Sequence, residues 1–414
     1  MPSFTDFGLA SPILRALAAE GYTTPTPIQS QAIPKVLEGH DLCGIAQTGT
    51  GKTAAFALPI LQRFFHPRRA TSPRSCRGLV LCPTRELANQ IVESFRIYGR
   101  ETPLSVLAAF GGVAIGTQQR RLASGVDILV ATPGRLLDLI ERKSLALSSV
   151  EVLVLDEADR MLDLGFIHAL KRIVKLVPRQ RQTLLFSATM PRPIAELARD
   201  YLNDPITVAV TPAATTVELV DQGVVFVESA EKRELLAQLL RDPSLARVLV
   251  FTRTKHGADR VVRHLEGAGI DATAIHGNKS QPQRESALAG FRAGRTRVLV
   301  ATDIASRGID VDSVSHVINF ELPNVPEDYV HRIGRTARAG AAGTAISLCS
   351  DEERPYLRDI EKLIRQPVRP LRFRAEPAPG PGMAPAELPK EVRFRHPARR
   401  GFKGIGAAQS RVSP

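Results

Sequence analysis

Val152-Leu153-Val154-Leu155-Asp156-Glu157-Ala158-Asp159 ends an apolar run in a cluster of carboxylates, and it lies well downstream of Ala46-Gln47-Thr48-Gly49-Thr50-Gly51-Lys52-Thr53. A glycine-rich turn closing in Lys-Thr wraps nucleotide phosphates with backbone N–H groups. Lys52 then reaches the outer phosphates and the Thr53 hydroxyl faces Mg²⁺. A carboxylate at the end of a buried strand gives the metal its second protein hold, which makes Asp156 the partner of Thr53. Glu157, the next residue, stands where a base orients an attacking water. Two such stretches in this order imply a nucleoside-triphosphate hydrolase built on parallel strands.

The surrounding chain fits that reading. Its 414 residues exceed one compact core, so two domains are expected. With 43% hydrophobic and 23% charged residues, most of the length is globular. A net charge of +13 points to an anionic polymer as partner. Only 5% of residues are aromatic and none is Trp, which favours a grip on the sugar-phosphate backbone over base stacking. Cys43, Cys76, Cys82 and Cys349 show neither zinc spacing nor a disulfide framework, so a reducing compartment is expected. With no apolar stretch of membrane-spanning length, a cytoplasmic protein without a membrane partner is expected.

Strand-length apolar runs alternate with helical stretches. They fall at 42–46, 78–82, 105–110, 127–131, 150–155 and 183–187, then at 224–227, 247–252, 272–276, 297–301, 316–320 and 343–348. Such alternation predicts βαβ units, hence an α/β fold of two doubly wound parallel sheets with ligands at the carboxyl ends of the strands. Residues 1–208 are read as the first domain, 209–220 as a linker, 221–371 as the second domain and 372–414 as a disordered basic tail.

Other stretches then fall into place. Gly21-Tyr22-Thr23-Thr24-Pro25-Thr26-Pro27-Ile28-Gln29 lies ahead of the phosphate loop, with Phe4 further upstream. Pro83-Thr84-Arg85-Glu86-Leu87-Ala88, Gly111-Gly112, Thr132-Pro133-Gly134-Arg135 and Ser187-Ala188-Thr189 each follow a predicted strand or stand at its end. In the second half come Phe251-Thr252-Arg253-Thr254, Gln281 with Arg284, the run Thr302 to Asp310, and His331-Arg332-Ile333-Gly334-Arg335-Thr336-Ala337-Arg338. In these motifs the chain resembles the DEAD-box RNA helicases, and most closely their bacterial RhlE-like branch, from residue 4 to about 370.

The resemblance implies two tandem RecA-like domains and an ATP-dependent RNA helicase using ATP and Mg²⁺. It assigns ATP to Phe4, Tyr22, Gln29, Thr48, Gly49, Thr50, Gly51, Lys52, Thr53 and Asp310. The amide of Gln29 offers a donor and an acceptor to the adenine edge. The metal falls to Thr53 and Asp156. Catalysis falls to Lys52, Asp156, Glu157, His331 and the arginine fingers Arg335 and Arg338, expected on one face of a helix. RNA contacts fall to Pro83, Thr84, Arg85, Gly111, Gly112, Thr132, Pro133, Gly134 and Arg135 in the first domain. In the second they fall to Thr252, Arg253, Gln281, Arg284 and Thr302. Ser187, Thr189 and Asp159 would couple hydrolysis to strand separation.

Three positions depart from the pattern without removing a catalytic side chain: Ala46, Ser306, and Ala337 in place of the usual Gly. The partner implied is single-stranded or short duplex RNA, bound by a monomer, within ribosomal-precursor or RNA-decay assemblies. An ATP-timed RNA clamp without net unwinding and a DNA-directed relative are the alternatives, because phosphate grips alone do not distinguish the sugars. In the tail, Arg372-Phe373-Arg374 and Arg393-Phe394-Arg395 put rings between guanidinium groups, a pattern suited to transient RNA contact.

Overall fold

The computed structural model describes residues 2–47, 49–210, 220–303, 314–336 and 343–372. Thr48, Asp310, Arg338, Ser306, Ala337 and the tail beyond Arg372 lie outside these residues, as does most of the expected linker.

The first sheet contains β1 (Leu42–Ile45), β2 (Cys76–Leu81), β3 (Val106–Ala109), β4 (Val126–Ala131), β5 (Val152–Leu155), β6 (Gln182–Ser187) and β7 (Ile206–Ala209). Its spatial order is β3-β4-β2-β5-β6-β1-β7, with every neighbouring pair parallel. The second contains β8 (Val220–Phe226), β9 (Val248–Thr252), β10 (Ala272–Ile275), β11 (Val298–Thr302), β12 (His316–Asn319), β13 (Gly343–Cys349) and β14 (Arg369–Pro370). It runs β10-β11-β9-β12-β13-β8-β14, again wholly parallel. Counted from its own first strand, each sheet has the same order, 3-4-2-5-6-1-7.

Helices on both faces explain why the strands read as unbroken apolar runs. Along β5, Val152 and Val154 enter one core with Phe56, Phe95 and Phe186, while Leu153 and Leu155 enter the opposite one with Leu79 and Leu185. The second sheet divides likewise: Leu249 and Phe251 of β9 pack to one side, Val248 and Val250 to the other. Parallel strands all point their carboxyl ends the same way, so the turns after β1, β2, β4, β5, β9 and β11 come out along one edge of each sheet.

Candidate nucleotide pocket and basic seam

After β1 the chain turns through Gly49 and Gly51, with φ of +84° and +90°, values that a side chain strongly disfavours. Gly51 is also the entry to the helix Lys52–Phe65, and a Cβ there would lie 2.3 Å from Gln29 Nε2. The loop is tied down from outside. Thr26 Oγ1 donates to the Thr50 carbonyl at 2.8 Å, and Gln29 Nε2 to that of Gly51 at 3.1 Å. Thr50 closes its own turn by donating to Gln47 O at 2.8 Å. Lys52 is buried and its Nζ donates to Ala46 O at 2.6 Å. Gln29 Oε1 meanwhile accepts from Thr26 N at 2.9 Å, so the Gln29 amide is shared between helix capping and the loop.

Beside the loop, buried Phe4 meets Tyr22 edge-on at 6.5 Å, and Tyr22 meets Tyr98 at 5.8 Å while staying 40% exposed. The exposed ring leaves an aromatic face for a planar ligand.

Asp156 follows β5 in full burial. Desolvation pushes its carboxyl up to about 7, with the Glu157 charge adding to the rise and the Lys52 ammonium opposing it. Glu157 is held in the left-handed region at φ 52° and ψ 54°, and it caps the helix Ala158–Asp163. A non-glycine residue there costs on the order of 1–3 kcal/mol, a strain that clusters at functional sites. Thr53 is half-buried one position after Lys52. Among the described residues no group of three or more His, Cys, Asp or Glu could cage a metal. One hydroxyl and one carboxylate fit a Mg²⁺ that takes its remaining oxygens from phosphates and water.

Asp159 gathers the turn after β6. Its Oδ2 accepts from Ala188 N at 3.1 Å, Thr189 N at 3.0 Å and Thr189 Oγ1 at 3.0 Å, and its own N–H donates to Ser187 Oγ at 3.3 Å. Arg160 reaches Asp328 in the second domain at 3.0 Å. Burial lowers the pKa of His331, which sits 3.9 Å from that same Asp328, with the Arg160 charge also opposing protonation.

The expected helical pair of fingers needs correction. The helix Pro326–Ile333 stops at Gly334, so Arg335 stands in the turn beyond it, buried, with Nε donating to His331 O at 3.3 Å. A neighbouring guanidinium was missed. Arg332 is fully buried, bidentate to Asp303 at 2.5 and 2.7 Å, bonded to Glu321 O at 2.6 Å and stacked 5.0 Å from the Phe251 ring. Its place three residues after buried Tyr329 was the available signal, since both fall on one helical face.

The candidate RNA residues of the two domains meet at a seam. Arg284 pairs with Glu86 at 2.9 Å, and Arg85 Nη1 lies 3.4 Å from Gln281 Oε1. The Arg85 guanidinium fills the space above Gly112, where any Cβ would lie 1.9 Å from its Nη1. Burial lowers the pKa of Arg85, and the charges of Arg284 and Arg135 lower it further against the pull of Glu86. Arg284 and Arg85 share the Glu86 carboxylate, while Arg135 has Asp138 at 3.7 Å; the excess of positive charge around Arg85 favours a bound anion. Arg135 is braced by Val113 O at 3.2 Å and Gln118 Oε1 at 3.1 Å. Thr84 caps the helix Arg85–Tyr98 by accepting from Leu87 N, while Pro133 and Gly134 open the helix Pro133–Glu141 after Thr132.

Thr252 and Thr302 end β9 and β11. Arg253 stands apart from the arginine crowd, with its backbone N–H on Glu321 at 2.7 Å and Nη1 on Asn324 at 3.2 Å.

A tethered phosphate-type loop against a buried Asp-Glu pair, on the first of two matching parallel sheets, defines a two-domain nucleoside triphosphatase of the helicase class. The family description "DEAD/DEAH box helicase" matches residues 26–197 and "Helicase conserved C-terminal domain" matches 231–340. The chain is 44% identical over 373 residues to the "ATP-dependent RNA helicase CshA" of Listeria monocytogenes, covering 90% of this chain and 70% of that protein. It is 44% identical over 367 residues to the "RNA helicase CrhR" of Synechocystis, covering 88% and 73%. Among solved structures, Saccharomyces cerevisiae Dbp5 bound to RNA and ADP BeF3 superposes with a TM-score of 0.80 at 31% identity, covering 89% of this chain and 96% of that one. A DEAD box protein from Methanococcus jannaschii aligns over 89% and 99% at 38% identity with a TM-score of 0.51. This chain belongs to the DEAD-box ATP-dependent RNA helicase family, whose members hydrolyse ATP.

Proposed function

We propose that the chain is an RNA-dependent ATPase that separates short RNA duplexes or remodels RNA–protein complexes by closing residues 221–371 onto residues 1–208, with 209–220 as the linker. The observation that carries this reading is the seam. The charges of Arg135 in the same domain and of Arg284 in the other both bear on Arg85, while Glu86 pairs with Arg284 and Asp138 with Arg135, and a phosphodiester would relieve the repulsion felt at Arg85. Support comes also from the domain arrangement, which aligns better with a relative solved with RNA and a nucleotide than with the Methanococcus jannaschii protein.

ATP lies against Phe4, Tyr22 and Gln29, with its phosphates on the Gly49–Lys52 turn and the Lys52 ammonium. Thr53 and Asp156 would hold Mg²⁺, which when bound screens the phosphate charge. Glu157 accepts the proton of the attacking water. Arg335, with Arg338 three positions further on, faces the γ-phosphate on closure, a role worth about 10³–10⁵ in rate. Asp159 passes the state of this site to Ser187 and Thr189, and His331 meets it from the other domain. Pro83, Thr84, Gly111, Gly112, Thr132, Pro133, Gly134, Thr252, Arg253, Gln281 and Thr302 complete the RNA path.

A cytoplasmic monomer acting on ribosomal-precursor or decay assemblies completes the proposal; among the described residues no helix is long and apolar enough to cross a membrane. The RhlE-like placement rests on the motif resemblance alone, the relatives above being named CshA and CrhR. ATPase stimulation by single-stranded RNA and DNA of equal length tests the reading. RNA alone should stimulate; equal stimulation overturns RNA specificity, and hydrolysis with a duplex left intact favours the clamp.

A further inference from the structure

We propose that the groove between β10 and the helix Gln281–Arg292 is an additional subsite for the sugar-phosphate backbone, seating the RNA strand where it leaves the seam. The proposal rests on the reading that RNA crosses the seam. The groove has a volume of about 410 Å³, within the range of sites that hold small ligands. Its walls carry two cations, Lys279 and Arg295, with the hydroxyls of Thr273, Ser286 and Thr296 and the amide of Gln283. Among the described residues no carboxylate and no aromatic ring lines it. Cations, hydroxyls and amide donors are what phosphate and ribose oxygens accept from, and without a ring the site cannot stack bases. Its grip is therefore indifferent to sequence.

Two features make this a built surface on the helix that also borders the seam. One helix serves both: Gln281 and Arg284 turn inward to Arg85 and Glu86, while Gln283 and Ser286, on its exposed side, line the groove. The turn that leads into this helix is also fixed. Asp259 Oδ1 holds Lys279 Nζ at 3.0 Å and His276 Nε2 at 2.9 Å, and Lys255 Nζ holds Asn278 at 3.0 Å. Lys279 still keeps 31% of its side-chain surface exposed. The floor is open, because a Cβ on Gly290 would meet only Thr296 Oγ1, at 3.5 Å. Among the described residues β10 is the outermost strand and pairs only with β11, so no described strand of its sheet covers the groove.

The test uses the full chain with a non-hydrolysable ATP analogue and fluorescence anisotropy. Oligouridine of about six nucleotides is compared with the same oligomer lengthened by about four at either end, within the usual span of single-strand sites. Lengthening at one end should tighten binding about threefold to tenfold and steepen the salt dependence by about 0.7 per phosphate gained. Arg295→Glu and Ser286→Glu, both at exposed positions, should erase that gain. They should leave binding of the short oligomer, and ATP turnover saturated with it, unchanged. A gain at neither end overturns the proposal, as does a gain that survives both substitutions; the latter leaves the free edge of β10 to an extended peptide. Failure of the short oligomer to stimulate ATPase would instead count against the family-based reading, so the two failures are distinguishable.

Discussion

The two sheets share one strand order, yet the space beyond the first strand is used in opposite ways. After β1 comes a turn with two left-handed glycines, then Lys52, which among the described residues finds a single acceptor, the Ala46 carbonyl. After β8 the helix Lys232–Leu239 opens with Lys232, whose ammonium donates to Phe320 O at 3.0 Å, Leu348 O at 2.7 Å and the Glu353 carboxylate. An ammonium has three hydrogens to donate, and all three are engaged. Glu353 accepts in addition from Ser350 N at 3.1 Å and Leu322 N at 3.2 Å. The second domain has filled from within, using a buried carboxylate, the place that under the proposed function the first would keep for an anion from outside. One fold thus yields an open half-site and a sealed one, and under the proposed function this asymmetry would let the second domain contribute fingers rather than a second nucleotide.

The largest expected effect breaks the division of labour. Arg335→Ala should lower kcat by about 10³–10⁵ with a smaller change in ATP affinity, since a finger acts mainly in the transition state. Steady-state ATPase at saturating RNA measures it. Turnover within about tenfold of wild type would mean that the second domain supplies no finger from this position.

Lys232→Met sharpens the contrast from the sealed side. Removing one partner of a buried ion pair typically costs about 3–5 kcal/mol, because the other charge is left uncompensated. Urea unfolding should show the second domain weakened on that scale, while ATP binding to the first is unchanged. Replacing Glu353 by Leu in the same chain should recover much of the loss. Loss of ATP binding in a folded Lys232→Met protein would show that the two lysines are not opposites.

Much of this architecture could be read from the sequence, for reasons visible in particular residues. Strands buried on both faces, such as β2, β5 and β9, announce themselves as continuous apolar runs. Two of the edge strands did not: β7 is Ile-Thr-Val-Ala with alternate residues exposed, and β14 is two residues ending in Pro, which tolerates only an edge. The phosphate loop was legible because the glycines and Lys52 are adjacent in sequence. Partners that meet only in space left no such trace. Arg160–Asp328, Arg284–Glu86 and Lys232–Glu353 are separated by 168, 198 and 121 positions. The helix assumed through Arg335 stops at Ile333, with Gly334 at its cap.

The smallest expected effect concerns how the open half-site chooses its base. Gln29 was read as a donor–acceptor pair for adenine, yet here its Nε2 holds Gly51 O and its Oε1 accepts from Thr26 N. An amide has two donor hydrogens and two acceptor lone pairs, so each end keeps one function for a ligand. Gln29→Ala should therefore do two things at once. Loss of adenine reading should erode the preference for ATP over GTP by about tenfold, equivalent to about 1.4 kcal/mol. Loss of the brace on Gly51 should weaken binding of both nucleotides. Competition binding with ATP, GTP and inorganic pyrophosphate reads the two effects apart: pyrophosphate has no base, so it feels only the loop. If ATP, GTP and pyrophosphate all weaken equally in Gln29→Ala, the residue braces the phosphate loop and reads no base. Weakened ATP with unchanged pyrophosphate would assign it to adenine alone.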